Sequence, residues 1–138
     1  MIFDTEVRIL TIDDDQDIRE SINDILKSEG YQTLSAENGK YALELLMKLE
    51  DFELPDLILL DYTMPELNGS DFHRELSKNI RFHRIPVVLM TANSNLRQIM
   101  DQLNVEAYIT KPMDVDNILQ VAKNFTARAQ AARFSFLA

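Results

Sequence analysis

The stretch Leu57-Ile58-Leu59-Leu60-Asp61 places four consecutive apolar residues directly before a carboxylate. A strand with one face in water alternates apolar and polar side chains, whereas a strand covered on both faces is apolar throughout. The stretch therefore predicts a buried strand of a parallel sheet, with Asp61 at the carboxyl end of that strand.

Four more apolar runs of strand length flank this stretch, at residues 7–12, 31–36, 86–90 and 107–110. Between them, apolar residues recur at the helical spacing of three and four. The helical segments cover about residues 18–30, 38–49, 70–79, 96–103 and 114–129. Strands that alternate with helices imply a parallel sheet with helices on both faces. We therefore predict an α/β fold in three layers, a doubly wound sheet of five strands with five helices.

Three residues mark helix ends in this pattern. Asn38-Gly39 suits a hairpin turn, but the apolar residues that follow it have helical spacing, so Asn38 is interpreted as a helix N-cap. Asp114 is placed to cap the last helix, and Gly30 to end the first.

The composition limits the classes of function. The chain has 138 residues, which is about one domain, and a net charge of −9 with a pI near 4.6. That charge has the wrong sign for direct binding to nucleic acid or to an anionic membrane. The absence of cysteine excludes disulfides and thiol catalysis. No secretory signal is apparent, and we expect a soluble cytoplasmic protein.

Polar residues follow four of the five predicted strands. The carboxyl ends of parallel strands meet at one edge of the sheet, where ligands of such folds bind. The residues expected at this edge are Asp13, Asp14 and Asp15 after the first strand, Asp61 after the third, Thr91 after the fourth and Lys111 after the fifth.

Each of these residues also has an ordinary structural explanation. An Asp run before a helix usually provides an N-cap, and Asp61 before Pro65 suits a turn. Thr91 and Lys111 taken alone would be routine surface residues. These explanations leave open why all of them follow apolar strands at the same edge.

A cluster of carboxylates at a sheet edge is costly without a cation, because like charges at short range disfavour one another's ionisation. Oxygen ligands without Cys or His indicate a hard divalent ion, Mg²⁺ first. Asp13, Asp14 and Asp61 supply −3, and Mg²⁺ with Lys111 supplies +3, so the loaded site is near neutral. If one Asp became an aspartyl phosphate, the hydroxyl of Thr91 and the ammonium of Lys111 are suitable donors to the added charge.

Four ordered motifs span the chain from about residue 7 to 130: residues 9–15, 55–65 with Gly69, 89–92 and 108–112. In this order and spacing they resemble the receiver domain of two-component response regulators. The resemblance implies a flavodoxin-like fold with strand order 2-1-3-4-5. It also implies a receiver domain over residues 1–130, with a tail at 131–138 that is a helix end or a truncated linker.

The resemblance implies roles for the acidic residues. Asp61 is similar to the phosphoacceptor, which takes a phosphoryl group from a phosphohistidine on a partner. Asp14, Asp61 and the backbone carbonyl of Thr63 would bind Mg²⁺, with Asp13 acting directly or through water. Thr63 and Asn93 occupy positions that tune the lifetime of the phosphoryl group in the family.

The remaining site residues are similar to the family's phosphate-binding and switch positions. Thr91 and Lys111 would bind the phosphoryl oxygens, and Tyr108 would turn inward as Thr91 moves. The Lys111-Pro112 bond resembles the family's cis peptide, as expected of a bond to proline.

The resemblance implies partners rather than a substrate. A sensor histidine kinase or a histidine phosphotransfer protein would phosphorylate the chain, and a downstream protein would read its state. The downstream protein would bind the surface formed by the fourth helix, fifth strand and fifth helix. The same surface would form a homodimer. The chain would be a signalling domain that catalyses only its own phosphorylation and dephosphorylation.

Two other functions are open to such a chain. A Mg²⁺-dependent phosphohydrolase of the haloacid dehalogenase type needs a second Asp two residues after the nucleophile, where this chain has Thr63. A degenerate receiver that acts without phosphate would have lost key side chains, and all of them are present. The three glycines do not form a phosphate loop or a dinucleotide fingerprint.

The two histidines lie away from the predicted strand ends. His73 and His83 are interpreted as ordinary surface or half-buried residues. Arg81, His83 and Arg84 form a small basic cluster that suits a solvated loop.

Overall fold

The computed structural model describes residues 7–62, 69–91, 105, 107–111 and 114–137. The elements in chain order are β1 (Arg8–Ile12), α1 (Gln16–Ser28), β2 (Gln32–Ala36), α2 (Gly39–Lys48), a short 3-10 helix (Asp51–Glu53), β3 (Leu57–Asp61), α3 (Gly69–Lys78), β4 (Val87–Thr91), β5 (Ala107–Thr110) and α4 (Val115–Leu137).

The apolar stretch that ends in Asp61 forms the middle strand of the sheet. The strand order is β2-β1-β3-β4-β5, and every neighbouring pair is parallel. Ile58 of β3 is in register with Leu10 of β1 and with Val87 of β4. The predicted doubly wound sheet and its strand order are confirmed. The described residues contain four α-helices, and the helix predicted over residues 96–103 lies outside them.

Successive residues of the strands face two separate halves of the core, because side chains alternate along a strand. Leu10, Ile58 and Leu60 pack on one face with residues of α2 and α3. Ile9 and Leu59 pack on the other face with residues of α1 and α4. Every residue of β3 is buried as a result. This double coverage explains why the central strand has no polar residue before Asp61.

The predicted helix caps are confirmed. The Asn38 side chain accepts a hydrogen bond from the Tyr41 N–H, and that of Asp114 accepts one from the Asn117 N–H at 2.7 Å. Gly30 follows α1 with φ of 89°, a left-handed conformation that residues with a Cβ rarely adopt. Local side-chain chemistry therefore sets where these helices begin and end.

The last helix continues without interruption from Val115 to Leu137. The backbone of residues 131–137 is therefore helical, and it does not break at residue 130. The division of the chain at that residue stays a prediction. Within the described ranges, no helix is long and apolar enough to cross a membrane.

We predict that Phe72→Ala lowers the free energy of unfolding by about 3–5 kcal/mol, since the ring is fully buried between α3 and the sheet. Phe52→Ala is the matched control, because Phe52 is 77% exposed, and it should change stability by less than about 0.5 kcal/mol. Urea unfolding of both variants measures this difference. Equal losses in the two variants would contradict the packing described here.

Candidate functional site

Two buried carboxylates lie side by side at the carboxyl edge of the sheet. Asp13 directly follows β1 and Asp61 ends β3, and these strands are neighbours. Asp13 is fully buried and Asp61 is 4% exposed. Carboxylate oxygens of Asp13, Asp14 and Asp61 all lie within 4.8 Å of one another. The neighbouring strands thus concentrate negative charge at a point with little access to water.

Lys111 brings a positive charge to this cluster from the end of β5. Its Nζ lies 2.9 Å from Asp13 Oδ2 and 3.4 Å from Asp61 Oδ1. The Lys111 N–H also donates to the carbonyl of Thr91 at 2.9 Å, which aligns the ends of β4 and β5. One ammonium therefore joins segments that are far apart in the sequence.

The same contacts control the ionisation of Lys111. Burial alone would lower its pKa, but the hydrogen bond with Asp13 and the charges of Asp61 and Asp13 outweigh burial and raise the pKa. Lys111 therefore remains an ammonium at neutral pH, where it can offset carboxylate or phosphoryl charge.

The three consecutive acids after β1 have three different environments. Asp15 is the N-cap of α1 and accepts from the N–H groups of Asp17 and Ile18. Asp14 is exposed at the mouth of the cluster, and Asp13 is buried against Lys111. The helix-cap explanation of the Asp run is thus right for Asp15, while Asp13 and Asp14 belong to the cluster.

Asp13 is held at each of its polar atoms. Its Oδ1 accepts from the Asp15 N–H at 2.9 Å, and its N–H donates to the Ala36 carbonyl at 3.2 Å. Its own carbonyl accepts from Nη1 of Arg19 at 2.7 Å. The carboxylate is therefore fixed in place before any ligand arrives.

Sequence reasoning missed the contribution of Arg19. Arg19 lies near the start of α1, where the helix dipole disfavours a cation. A cation at such a position, close to an acidic cluster, is a signal that could have identified it.

Thr91 and Tyr108 lie on neighbouring strands of the same half of the sheet. Thr91 ends β4 and is 2% exposed, while Tyr108 lies on β5 in register with Leu89 and is 44% exposed. The tyrosine ring is thus partly in solvent. Three other residues that sequence analysis assigned to the site, Thr63, Asn93 and Pro112, lie outside the described residues.

The donor set of the cluster suits a hard divalent cation. Its ligand atoms are carboxylate oxygens, and oxygen ligands favour Mg²⁺ over softer metals. Lys111 alone balances one of three negative charges, so a divalent ion would complete neutralisation. The arrangement can hold a cation beside a carboxylate, which also suits binding of a phosphoryl group.

The sequence of this chain matches the family model of the response regulator receiver domain over residues 9–123. The chain belongs to this family. It is 35% identical over 123 residues to the sporulation initiation phosphotransferase F of Bacillus subtilis, an alignment that covers 86% of this chain and 92% of that protein. This is the receiver domain of two-component response regulators, as the sequence motifs indicated.

Solved receiver domains have the same fold. The signal receiver domain of a histidine kinase from Syntrophus aciditrophicus is 31% identical, with a TM-score of 0.76, over 88% of this chain and 90% of that one. The receiver domain of the Pseudomonas aeruginosa sensor kinase PA1611, with a magnesium ion in its active-site cleft, is 23% identical with a TM-score of 0.78. That alignment covers 88% of this chain and 98% of the other.

Some relatives are longer than this chain, which spans 54% of one and 23% of another. Receiver domains are signalling domains that interact with histidine kinases and with downstream effectors, and they bind Mg²⁺ in an acidic pocket.

We predict that Lys111→Gln lowers the free energy of unfolding by about 1–3 kcal/mol in buffer without divalent ions, because it leaves the buried Asp13 beside two acids without its ammonium partner. Lys123→Gln, an exposed substitution of the same type in α4, should stay within about 0.5 kcal/mol of the unmodified chain. Urea unfolding compares them. A Lys111→Gln variant as stable as the control would show that the ammonium is not needed to hold the cluster.

Proposed function

We propose that Asp61 is the phosphoacceptor of this receiver domain and that a sensor histidine kinase or a histidine phosphotransfer protein supplies the phosphoryl group. The observation that carries the proposal is the position of the Asp61 carboxylate, buried at the sheet edge with Lys111 Nζ 3.4 Å from its Oδ1. The name of the Bacillus relative, a phosphotransferase, is consistent with this role.

The chemical step is a phosphoryl transfer between side chains. An oxygen of the Asp61 carboxylate attacks the phosphorus of the partner's phosphohistidine, and the bond from phosphorus to the imidazole nitrogen breaks. The imidazole leaves with the electron pair of that bond, and an aspartyl phosphate remains on Asp61. Catalysis then consists of positioning and of offsetting charge, because the phosphohistidine is already reactive.

Each contact of the cluster has a function in this step. Asp13, held at four polar atoms, keeps the ammonium of Lys111 next to the reacting oxygen. Lys111 moves from the carboxylate onto a phosphoryl oxygen, and the Thr91 hydroxyl binds another. Because Asp13 already holds Lys111 beside Asp61, only the ammonium and the Thr91 hydroxyl need to shift when the phosphoryl group arrives.

Asp13, Asp14 and Asp61 would hold Mg²⁺. The backbone carbonyl of Thr63, which lies outside the described residues, is proposed as a further ligand because of its place in the family motif. The bound ion supplies neutralisation of the carboxylate and phosphoryl oxygens. The three carboxylates within 4.8 Å support this assignment, because the single ammonium of Lys111 does not balance their negative charge. The relative from Pseudomonas aeruginosa is described with magnesium in its cleft.

Phosphorylation changes the surface through which the domain contacts other proteins. Thr91 moves toward the phosphoryl group, and the half-exposed ring of Tyr108 turns inward into the space it vacates. The surface of the 96–103 segment, β5 and α4 then changes its affinity for a downstream protein or for a second copy of the chain. Thr63 and Asn93 set the lifetime of the phosphoryl group.

The alternatives receive less support from the site. A degenerate receiver would not need the ion pairs of Lys111 with Asp13 and Asp61, both of which are present. A phosphohydrolase would need an acid at position 63. We therefore infer a cytoplasmic signalling domain that catalyses only its own phosphorylation and dephosphorylation and that acts through protein contacts, not through direct binding of nucleic acid or membrane.

We predict that acetyl phosphate with Mg²⁺ adds the mass of one phosphoryl group to the chain, and that Asp61→Asn abolishes the addition because the amide is a poor nucleophile. Asp15→Asn is the matched control, since Asn caps a helix about as well as Asp and position 15 serves as the N-cap. Intact mass spectrometry distinguishes the variants. An Asp61→Asn chain that is still phosphorylated would refute the assignment.

A second prediction concerns the cation. At tenfold excess over its Kd, Mg²⁺ should stabilise the chain by about 1.4 kcal/mol, which raises Tm by about 3–6 °C for a domain of this size. Asp14→Asn should remove most of this rise, and Asp15→Asn should keep it, because only Asp14 belongs to the carboxylate cluster. Thermal unfolding with Mg²⁺ and with EDTA measures the effect. The same rise in both variants would place the ion elsewhere.

A further inference from the structure

A cavity of about 230 Å³ lies at the end of β4 opposite to Thr91. It is lined by His73, Leu76 and Ser77 from one face of α3, by His83, Arg84 and Ile85 from the loop after it, and by Val87 at the start of β4. Val87 lies about 13 Å from Thr91 along β4, so the cavity and the carboxylate cluster are at opposite edges of the sheet. None of the residues that line the cavity belongs to the site described above.

The polar groups that line this cavity are mainly basic or hydrogen-bond donors. Both histidines of the chain are here, with the guanidinium of Arg84, and no acidic residue is among the lining residues. Ser77 Oγ donates its proton to the His73 carbonyl at 2.8 Å, so its proton is already in use. The chain as a whole has a net charge of −9, so a cavity lined by nitrogen donors and by no acid differs in charge from the rest of the molecule.

These donors have no protein partner, in contrast to their neighbours. Across the described part of the chain, the side chains of His73, His83 and Arg84 make no hydrogen bond or ion pair. Arg81, three residues earlier, binds Asp51 at 2.8 Å and the Leu49 carbonyl at 2.6 Å. The residues of the basic loop therefore differ in their environments. Arg81 joins two loops, whereas His83 and Arg84 are exposed and line the cavity together with the half-buried His73.

We propose that this cavity binds a small oxyanion of the size and chemistry of inorganic phosphate. A guanidinium binds two oxygens of such an anion at once, and each imidazole adds an N–H donor even when it is neutral. Burial lowers the pKa of His73, so a bound anion would also relieve the cost of protonating that ring. The apolar wall of Leu76, Ile85 and Val87 strengthens these charge contacts by excluding water from one side.

The two histidines allow a direct test, because histidine ring signals in NMR report on this cavity alone. The full chain is titrated with sodium phosphate at pH 6.5 in EDTA, in parallel with sodium chloride at matched ionic strength. We expect saturable shifts of both rings with phosphate and not with chloride. Arg84→Gln should weaken the apparent affinity about tenfold, which corresponds to one lost charge-assisted hydrogen bond.

Arg74→Gln is the control variant, because Arg74 is an exposed arginine of α3 that pairs with Asp71 and does not line the cavity. It should bind phosphate as the unmodified chain does. Shifts that chloride reproduces, shifts that do not saturate, or equal affinity of the Arg84→Gln and Arg74→Gln variants would each overturn the proposal. Since the test requires no phosphorylation, its failure would leave the role of Asp61 unaffected.

Discussion

The ion pairs of Lys111 with Asp13 and Asp61 are the interaction on which the functional edge of the molecule depends. Three carboxylates at this distance repel one another, and Asp13 has no access to water to relieve that repulsion. The ammonium of Lys111 offsets part of the charge and connects the ends of β1, β3 and β5. Part of the negative charge of the cluster therefore remains uncompensated, and this charge favours binding of a divalent cation.

The sheet makes this arrangement possible. The middle strand is buried on both faces by helices, so its carboxyl end cannot shift without disturbing two halves of the core. Asp61 is rigidly placed as a consequence, and Asp13 beside it is held through its backbone by Ala36 and Arg19. Rigid strands and a fixed Asp13 carboxylate hold the Asp61 carboxylate in one position, which is the geometry that the proposed phosphoryl transfer would use.

Much of this could be predicted from the sequence, because it depends on local pattern. Continuous apolar runs indicated a parallel sheet, and Asn38 and Asp114 indicated helix starts through their own side-chain chemistry. Contacts between distant segments could not be predicted in the same way. The sequence placed Asp13, Asp61 and Lys111 at one edge of the sheet, but the direct ion pairs of Lys111 depend on tertiary geometry. So do the different environments of Asp13, Asp14 and Asp15 and the contact of Arg19 with the Asp13 carbonyl. The same holds for the cavity lined by His73 and His83, since residues of α3, of the loop after it and of β4 line it together.

Chemical trapping of the phosphorylated residue tests the central claim most directly. Borohydride reduces an aspartyl phosphate to homoserine, so peptide mapping after treatment with acetyl phosphate, Mg²⁺ and borohydride identifies the acceptor by position. Homoserine at position 61 is the predicted result. Homoserine at position 13 or 14 instead, or at none of the three, would contradict the account of Asp61 as the acceptor that Lys111 and its neighbours position.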